Sequence, residues 1–192
     1  MLVDRALKTA LRNFSTFWLI VAAVSIPLNL AWAVGFQDVV ATRAIHADIE
    51  SLPTGDTVRG VDEEAIDRAR YGELIVLALQ IAMIPVLLRA TRRAIERDAE
   101  GHVPTALGAF RGVFRSSRVR RPTRFSAPVA LAMAAFALIV GIFATLIGDL
   151  LVEAAGGSAA WLVLALSRGT ALALALPFLL VGWVEAHVPA EG

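Results

Sequence analysis

Four long apolar runs constrain the fold of this chain more than any other feature of its sequence. They cover residues 14–36, 71–89, 128–151 and 161–183. A helix rises about 1.5 Å per residue and the hydrocarbon core of a bilayer is about 30 Å thick, so each run is long enough to cross a membrane. Because backbone groups in lipid must be satisfied internally, these runs predict α-helices. We therefore predict an all-α, polytopic membrane protein with a single membrane domain over residues 1–192.

The composition agrees with this fold class and excludes some chemistry. Hydrophobic residues make up 57% of the chain, whereas soluble domains are about 45–50% apolar. The chain has no cysteine, which excludes disulfides, thiolate metal sites and cysteine nucleophiles. Lysine occurs once among the 18 basic residues, at Lys8. Such an arginine- and alanine-rich sequence suggests a GC-rich bacterial genome.

Charged residues between the runs are segregated, and their distribution orients the predicted bundle. Residues 89–127 contain ten arginines and three acids, whereas residues 37–70 contain four arginines and eight acids. The N-terminal tail carries Arg5, Lys8 and Arg12. Because basic segments stay in the cytoplasm, the tail and the loop 90–127 are predicted inside, and the loop 37–70 outside. An even number of spans then places both termini in the cytoplasm, in the inner membrane of a bacterium.

The first run also allows a second interpretation. Basic residues, an apolar stretch and the triplet Ala31-Trp32-Ala33 resemble a signal peptide with an A-x-A cleavage site. The run is long for a signal peptide and continues past that triplet, which favours a retained span. The loop 37–70 is outside the cytoplasm in both cases.

The outer loop is predicted to contain a short extracytoplasmic helix. Apolar residues recur at helical spacing over residues 38–52, and the turn-forming stretch 52–56 ends that pattern. The acids at residues 62–64 then favour the start of a further helix that runs directly into the second span.

The cytoplasmic loop is predicted to hold a basic helix at the membrane surface. Gly101 and Pro104 favour the end of the helix that carries the second span, and Thr105 can cap a new one. The apolar residues of the new helix are Leu107, Phe110, Val113 and Phe114. The basic residues in and after it are Arg111, Arg115, Arg118, Arg120, Arg121 and Arg124. Such a helix favours anionic lipid headgroups. A face for a cytoplasmic protein partner is the alternative, and no base-reading fold accompanies the arginines to indicate nucleic-acid binding.

The same stretch carries a family resemblance. Residues 101–111, GHVPTALGAFR, resemble an element of bacterial polytopic membrane families in which a Gly-x-x-Pro-Ser/Thr turn opens a basic helix before a span. The membrane domains attached to some glycerophosphodiester phosphodiesterases look like this, and residues 5–14 are similar. Those enzymes carry catalysis in a separate soluble domain that is absent from this sequence. The resemblance therefore implies a membrane fold and no catalytic residue.

Polar residues inside the spans are the candidate site, because charges in a bilayer are costly and often functional. They are Arg168, Asp149, Glu73, Gln80 and Asn29. All fall in the predicted outer half of the bundle. We predict a polar cavity open to the outside, with Arg168 as its cation and Asp149 or Glu73 as the counter-ion. The alternative is a structural Arg168–Asp149 pair that holds helices together.

The remaining chemistry limits the classes of function. The histidines lie in separate loops and tails, and neither a phosphate-binding loop nor a nucleophile motif occurs, so no catalytic residue, metal or cofactor is predicted. The favoured hypothesis is a non-enzymatic scaffold or accessory subunit that works with a protein partner. The second is a small transporter or channel subunit acting as a homo-oligomer, with an outward-facing polar site around Arg168. A membrane enzyme would require Asp149, Glu73 and Arg168 to converge.

Reporter fusions test the predicted orientation. A phosphatase that is active only outside the cytoplasm should be active when fused after Thr54 and inactive when fused after Gly101, because the basic segment stays inside. A cytoplasm-dependent reporter at the same two sites is the control and should give the opposite pattern. Equal activity at both sites would contradict the orientation.

Overall fold

Six helices and one short β-ladder make up the part of the chain that a computed structural model describes, which is residues 2–37, 63–113, 124–155 and 159–188. The helices are α1 (Leu2–Arg12), α2 (Phe14–Gly35), α3 (Glu63–Ala99), α4 (Ala106–Val113), α5 (Ala127–Ala155) and α6 (Ala160–Ala186). The predicted outer helix 38–52 lies outside the described residues. So do Arg115, Arg118, Arg120 and Arg121, whereas Arg124 is described in its backbone only.

Four of these helices are long and apolar enough to cross a membrane: α2, α5, α6 and the part of α3 from Arg68 to Ala99. This confirms the predicted all-α polytopic fold. Helix α3 has 37 residues, which corresponds to about 55 Å at the helical rise and exceeds the ~30 Å hydrocarbon core. It therefore extends past the apolar run at both ends, as the acids near its start and Gly101 beyond its end predict.

Small residues bring α6 close to two other spans. A Cβ at Gly169 would lie 2.9 Å from the Cα of Ile26 in α2, and a Cβ at Gly148 of α5 would lie 2.9 Å from the Cβ of Ser167. At Gly182 an added Cβ would overlap Met133 of α5. Helices in lipid associate through van der Waals packing, and small residues allow this close approach. Helix α6 therefore lies at the centre of the bundle.

A glycine turn ends α3 and folds the chain back onto it. Gly101 has a φ of +79°, a conformation that favours glycine. The N–H of Gly101 donates to the carbonyl of Asp98 at 3.1 Å, and the N–H of His102 donates to the carbonyl of Arg97 at 3.0 Å. These two bonds form a Schellman motif. Thr105 then caps α4, because its Oγ1 accepts the N–H of Gly108 at 3.2 Å.

Polar contacts join the ends of several helices at one end of the bundle. Arg5 pairs with Glu185 at 3.5 Å, and Arg12 pairs with Asp98. The hydroxyl of Thr16 donates to the carbonyl of Pro104 at 3.0 Å. The start of α5 joins the end of α6 through a two-residue antiparallel ladder of β1 (Arg124–Phe125) and β2 (His187–Val188), which the all-α prediction did not contain. We call this the basic end; it is the end that the charge distribution predicts to be cytoplasmic.

The two short helices pack on the spans of opposite halves of the chain. Helix α1, in which Ala6 and Ala10 are fully buried, contacts α5 and α6, whereas α4 contacts α3 and α2. On the predicted apolar side of α4, Phe110 and Val113 pack against the hydrophobic core, whereas Leu107 is 62% exposed. Ala109 of the same helix is fully buried.

Substitution at two glycines tests this packing. Gly182→Ala should lower the free energy of unfolding by about 1–3 kcal/mol, because the new Cβ forces α5 and α6 apart. Gly141→Ala is the matched control. Its Cβ would sit 3.5 Å from the Cβ of Ala175, which is an ordinary contact. Unfolding of the purified variants in mixed micelles by SDS titration measures both, and equal stability of the two variants would contradict the packing.

Candidate membrane-embedded polar site

A cavity of about 460 Å³ lies in the half of the bundle away from the basic end. All four spans line it. Its floor contains the buried Asn29 and Trp32 of α2 and Ala171 of α6, and its rim contains the exposed Leu74 and Leu77 of α3. Gly141 and Thr145 of α5 line the opposite side. Helices α3 and α5 therefore form the two walls of a cleft whose floor is α2 and α6; we call it the polar cavity.

The polar cavity contains an ion pair between two spans. Nη1 of Arg168 in α6 lies 2.6 Å from Oε1 of Glu73 in α3. The guanidinium carbon of Arg168 also lies 5.2 Å from the centroid of the Trp32 ring, within the range of a cation–π contact. A central arginine in a membrane helix costs about 2.5–3.5 kcal/mol by insertion scales. Glu73 and Trp32 together offset part of that cost.

A chain of hydrogen bonds connects α2 to α6 beneath this ion pair. Nδ2 of Asn29 donates to the carbonyl of Ser25 at 2.8 Å, and the hydroxyl of Ser25 donates to the carbonyl of Gly169 at 2.9 Å. Both side chains are buried. Because Gly169 follows Arg168, these bonds fix the backbone that carries the arginine. Ser25 is not among the site residues predicted from the sequence, although its spacing of four from Asn29 places both on one side of α2.

The structure brings four of the five predicted site residues to the polar cavity. Arg168, Glu73, Gln80 and Asn29 line it. Asp149 is exposed and is not among the described residues that line the polar cavity. On α5 the cavity is lined by Gly141 and Thr145. Asp149 lies one turn beyond Thr145 on the same side of the helix, past the rim. Of the two proposed counter-ions, the structure pairs Glu73 with Arg168.

Trp32 lies near the end of a span, yet its side chain is buried. Such tryptophans usually sit in the membrane–water interface. Trp32 is instead 5% exposed, and its Nε1–H donates to the carbonyl of Ala69 at 3.3 Å. The ring is buried because α3 continues past the apolar run and covers it. Trp32 therefore belongs to the site as the aromatic surface against Arg168.

This arrangement can bind a polar group within the membrane. A paired cation and anion, an amide at Gln80 and a hydroxyl at Thr145 offer both donors and acceptors on one surface. Within the described ranges, no group of three metal-ligating side chains comes together. Comparisons give no further assignment, because no family model, curated protein or solved structure matches the chain. The resemblance of residues 101–111 to the phosphodiesterase membrane domains stays a prediction.

Two double-mutant cycles distinguish the counter-ions. The cycle of Arg168→Leu with Glu73→Leu should give a coupling free energy of about 0.5–1.5 kcal/mol, because the two side chains are 39% and 32% exposed and partly screened. The cycle of Arg168→Leu with Asp149→Leu is the control and should give a coupling near zero. Stability in micelles provides the measurement, and the reverse ranking would show that Asp149 is the partner.

Proposed function

We propose that the protein is a non-enzymatic scaffold or accessory subunit of a complex in the bacterial inner membrane, with both termini in the cytoplasm. In this proposal, a membrane-spanning segment of a partner protein docks against α3 and α5 and places a polar side chain in the polar cavity. The observation that carries the proposal is the combination of two uncovered helices with polar groups on the surface between them.

The coverage of the four spans supports this docking surface. The most apolar 18-residue windows of α3 and α5 are 17% and 11% buried, whereas those of α2 and α6 are 44% and 33% buried. Lipid tails can cover apolar faces as well as a protein can, so exposure alone does not indicate a partner. Lipid tails have no hydrogen-bond donors or acceptors for Gln80, Glu73 or Arg168, whereas a polar side chain on a partner helix can form hydrogen bonds with these residues.

A transporter or channel subunit acting as an oligomer is the second candidate. The convergence of Arg168, Glu73, Gln80 and Asn29 on a single cavity favours it. Four spans are few for a complete pathway, so this function requires self-association. A catalytic use of the three charges is not proposed, because Asp149 does not line the cavity with Arg168 and Glu73.

Site-specific photo-crosslinking in native membranes tests the proposal. A photoreactive residue at Leu77, on the cavity rim, should give an adduct of one defined mass, and the same partner should co-purify in fixed stoichiometry. Ile75 is the control position, because it is an exposed residue of α3 that does not line the cavity. Arg168→Leu should reduce the adduct at Leu77.

Other outcomes of this experiment decide against the accessory subunit. Adducts with lipid alone at both positions, together with a monomer in native mass measurements, would contradict it. An adduct between two copies of the chain would favour the transporter. Solute flux in liposomes that is lost on Arg168→Leu would then establish that second candidate.

A further inference from the structure

A second cavity lies at the basic end, between the end of α3 and the start of α4. Its volume is about 490 Å³, and Arg93 and Arg97 of α3, Arg111 of α4, and Thr105 line it. No acidic residue is among the described residues of its lining. We call it the arginine cavity. It belongs to the opposite end of the bundle from the polar cavity and has a different electrostatic character, with three cations and no anion.

Two glycines give the arginines their positions. A Cβ at Gly108 would lie 2.8 Å from Nη1 of Arg97, and a Cβ at Gly112 would lie 2.9 Å from Nε of Arg93. Gly108 and Gly112 are four residues apart, as are Arg93 and Arg97, so each glycine on α4 receives one arginine from α3. Any larger residue would displace these side chains. The surface of α4 is therefore shaped to hold two guanidinium groups close to its backbone.

The acids at the end of α3 leave two of the arginines unneutralised. Asp98 is paired with Arg12, and Glu96 is shared by Arg92 at 3.1 Å and Arg93 at 3.4 Å. Among the described residues, Arg97 and Arg111 have no carboxylate within 4.0 Å. Guanidinium groups are planar and carry several donors, which suits phosphate oxygens. The arginine cavity thus presents free donors to an anion.

The cavity lies along α3 at the water-facing edge of the headgroup layer of a bilayer. Arg93 and Arg97 follow Leu88, the last apolar residue of the second run, by five and nine residues. These separations correspond to about 7.5 and 13.5 Å along the helix axis. The headgroup layer is roughly 5–8 Å thick on each side, so the backbone of Arg93 lies at its outer edge and that of Arg97 lies beyond it. Side chains of a helix tilt toward its N-terminus, which brings the guanidinium of Arg97 back toward the membrane. Leu107, which is 62% exposed, also lines the cavity and offers an apolar surface beside the cations.

We propose that the arginine cavity binds a phosphate group carrying net negative charge, held by Arg97 and Arg111 with Arg93 and the Thr105 hydroxyl beside them. The exposed apolar Leu107 and the position of Arg93 at the edge of the headgroup layer favour the headgroup of an anionic phospholipid as its source. Basic pockets next to spans on the cytoplasmic side are the usual place for such headgroups. This site is independent of the partner surface proposed above and does not require it.

Native mass spectrometry of the purified full chain in detergent tests the proposal, with dioleoyl-phosphatidylglycerol, dioleoyl-phosphatidylcholine and inorganic phosphate as separate probes. Phosphatidylglycerol should bind about tenfold more tightly than phosphatidylcholine, and Arg97→Gln or Arg111→Gln should each weaken it about three- to tenfold. Arg89→Gln is the matched control. Arg89 is exposed, lies one turn from Arg93 and is not among the described residues that line the cavity, so its removal takes away the same charge and should change the affinity less than about twofold.

The glycine at position 108 provides a test that removes no charge. Gly108→Ala should weaken phosphatidylglycerol binding, because the new Cβ displaces the Arg97 side chain. Since this side chain is flexible and can move without disturbing the backbone, the helix content measured by circular dichroism should stay unchanged. Millimolar inorganic phosphate that fails to displace phosphatidylglycerol would identify the lipid as the source. Phosphate that binds with the same dependence on Arg97 and Arg111, with no preference between the lipids, would identify free phosphate. Neither probe responding to Arg97→Gln and Arg111→Gln would overturn the site.

Discussion

The close approach of α6 to α2 and α5 is the contact on which the other features of this bundle depend. Lipid provides no hydrophobic force between helices, so close backbone packing and hydrogen bonds must supply their association. Gly169 and Gly182 of α6, with Gly148 of α5, create that proximity. The same proximity brings the carbonyl of Gly169 to the hydroxyl of Ser25. Because Arg168 precedes Gly169, this proximity also fixes the depth of the Arg168 side chain along the bundle. The polar cavity therefore follows from the packing of small residues.

Helix α3 has a different relation to the bundle. It contacts α2 and α6, yet most of its apolar surface stays uncovered, and it contributes Glu73 and Gln80 to the polar cavity and Arg93 and Arg97 to the arginine cavity. Its 37 residues reach both ends of the protein. A single continuous helix thus contributes to two cavities of different charge. The polar cavity contains a paired cation and anion, whereas the arginine cavity is strongly positive.

Much of the fold could be predicted from the sequence, because a bilayer allows so few backbone structures. The four spans, the glycine turn at Gly101 and the cap at Thr105 all depend on local patterns, and the structure has them. The partner of Arg168 depends on which helices become neighbours. Asp149 is close to Arg168 in the chain and Glu73 is distant from it, and helical periodicity alone does not indicate which of the two pairs with Arg168. The burial of Trp32 and the role of Ser25 were not predicted for the same reason, since both depend on contacts between helices far apart in sequence.

The packing of α1 has a consequence for how the protein is made. Helix α1, in which Ala6 and Ala10 are fully buried, contacts α5 and α6, which are synthesised after it. During synthesis α1 can therefore reach its final position only after α5 and α6 have been inserted. An amphipathic helix can spend this interval on the membrane surface, with its apolar side in the lipid. Docking of α1, with the Arg5–Glu185 pair that accompanies it, thus follows the insertion of α5 and α6.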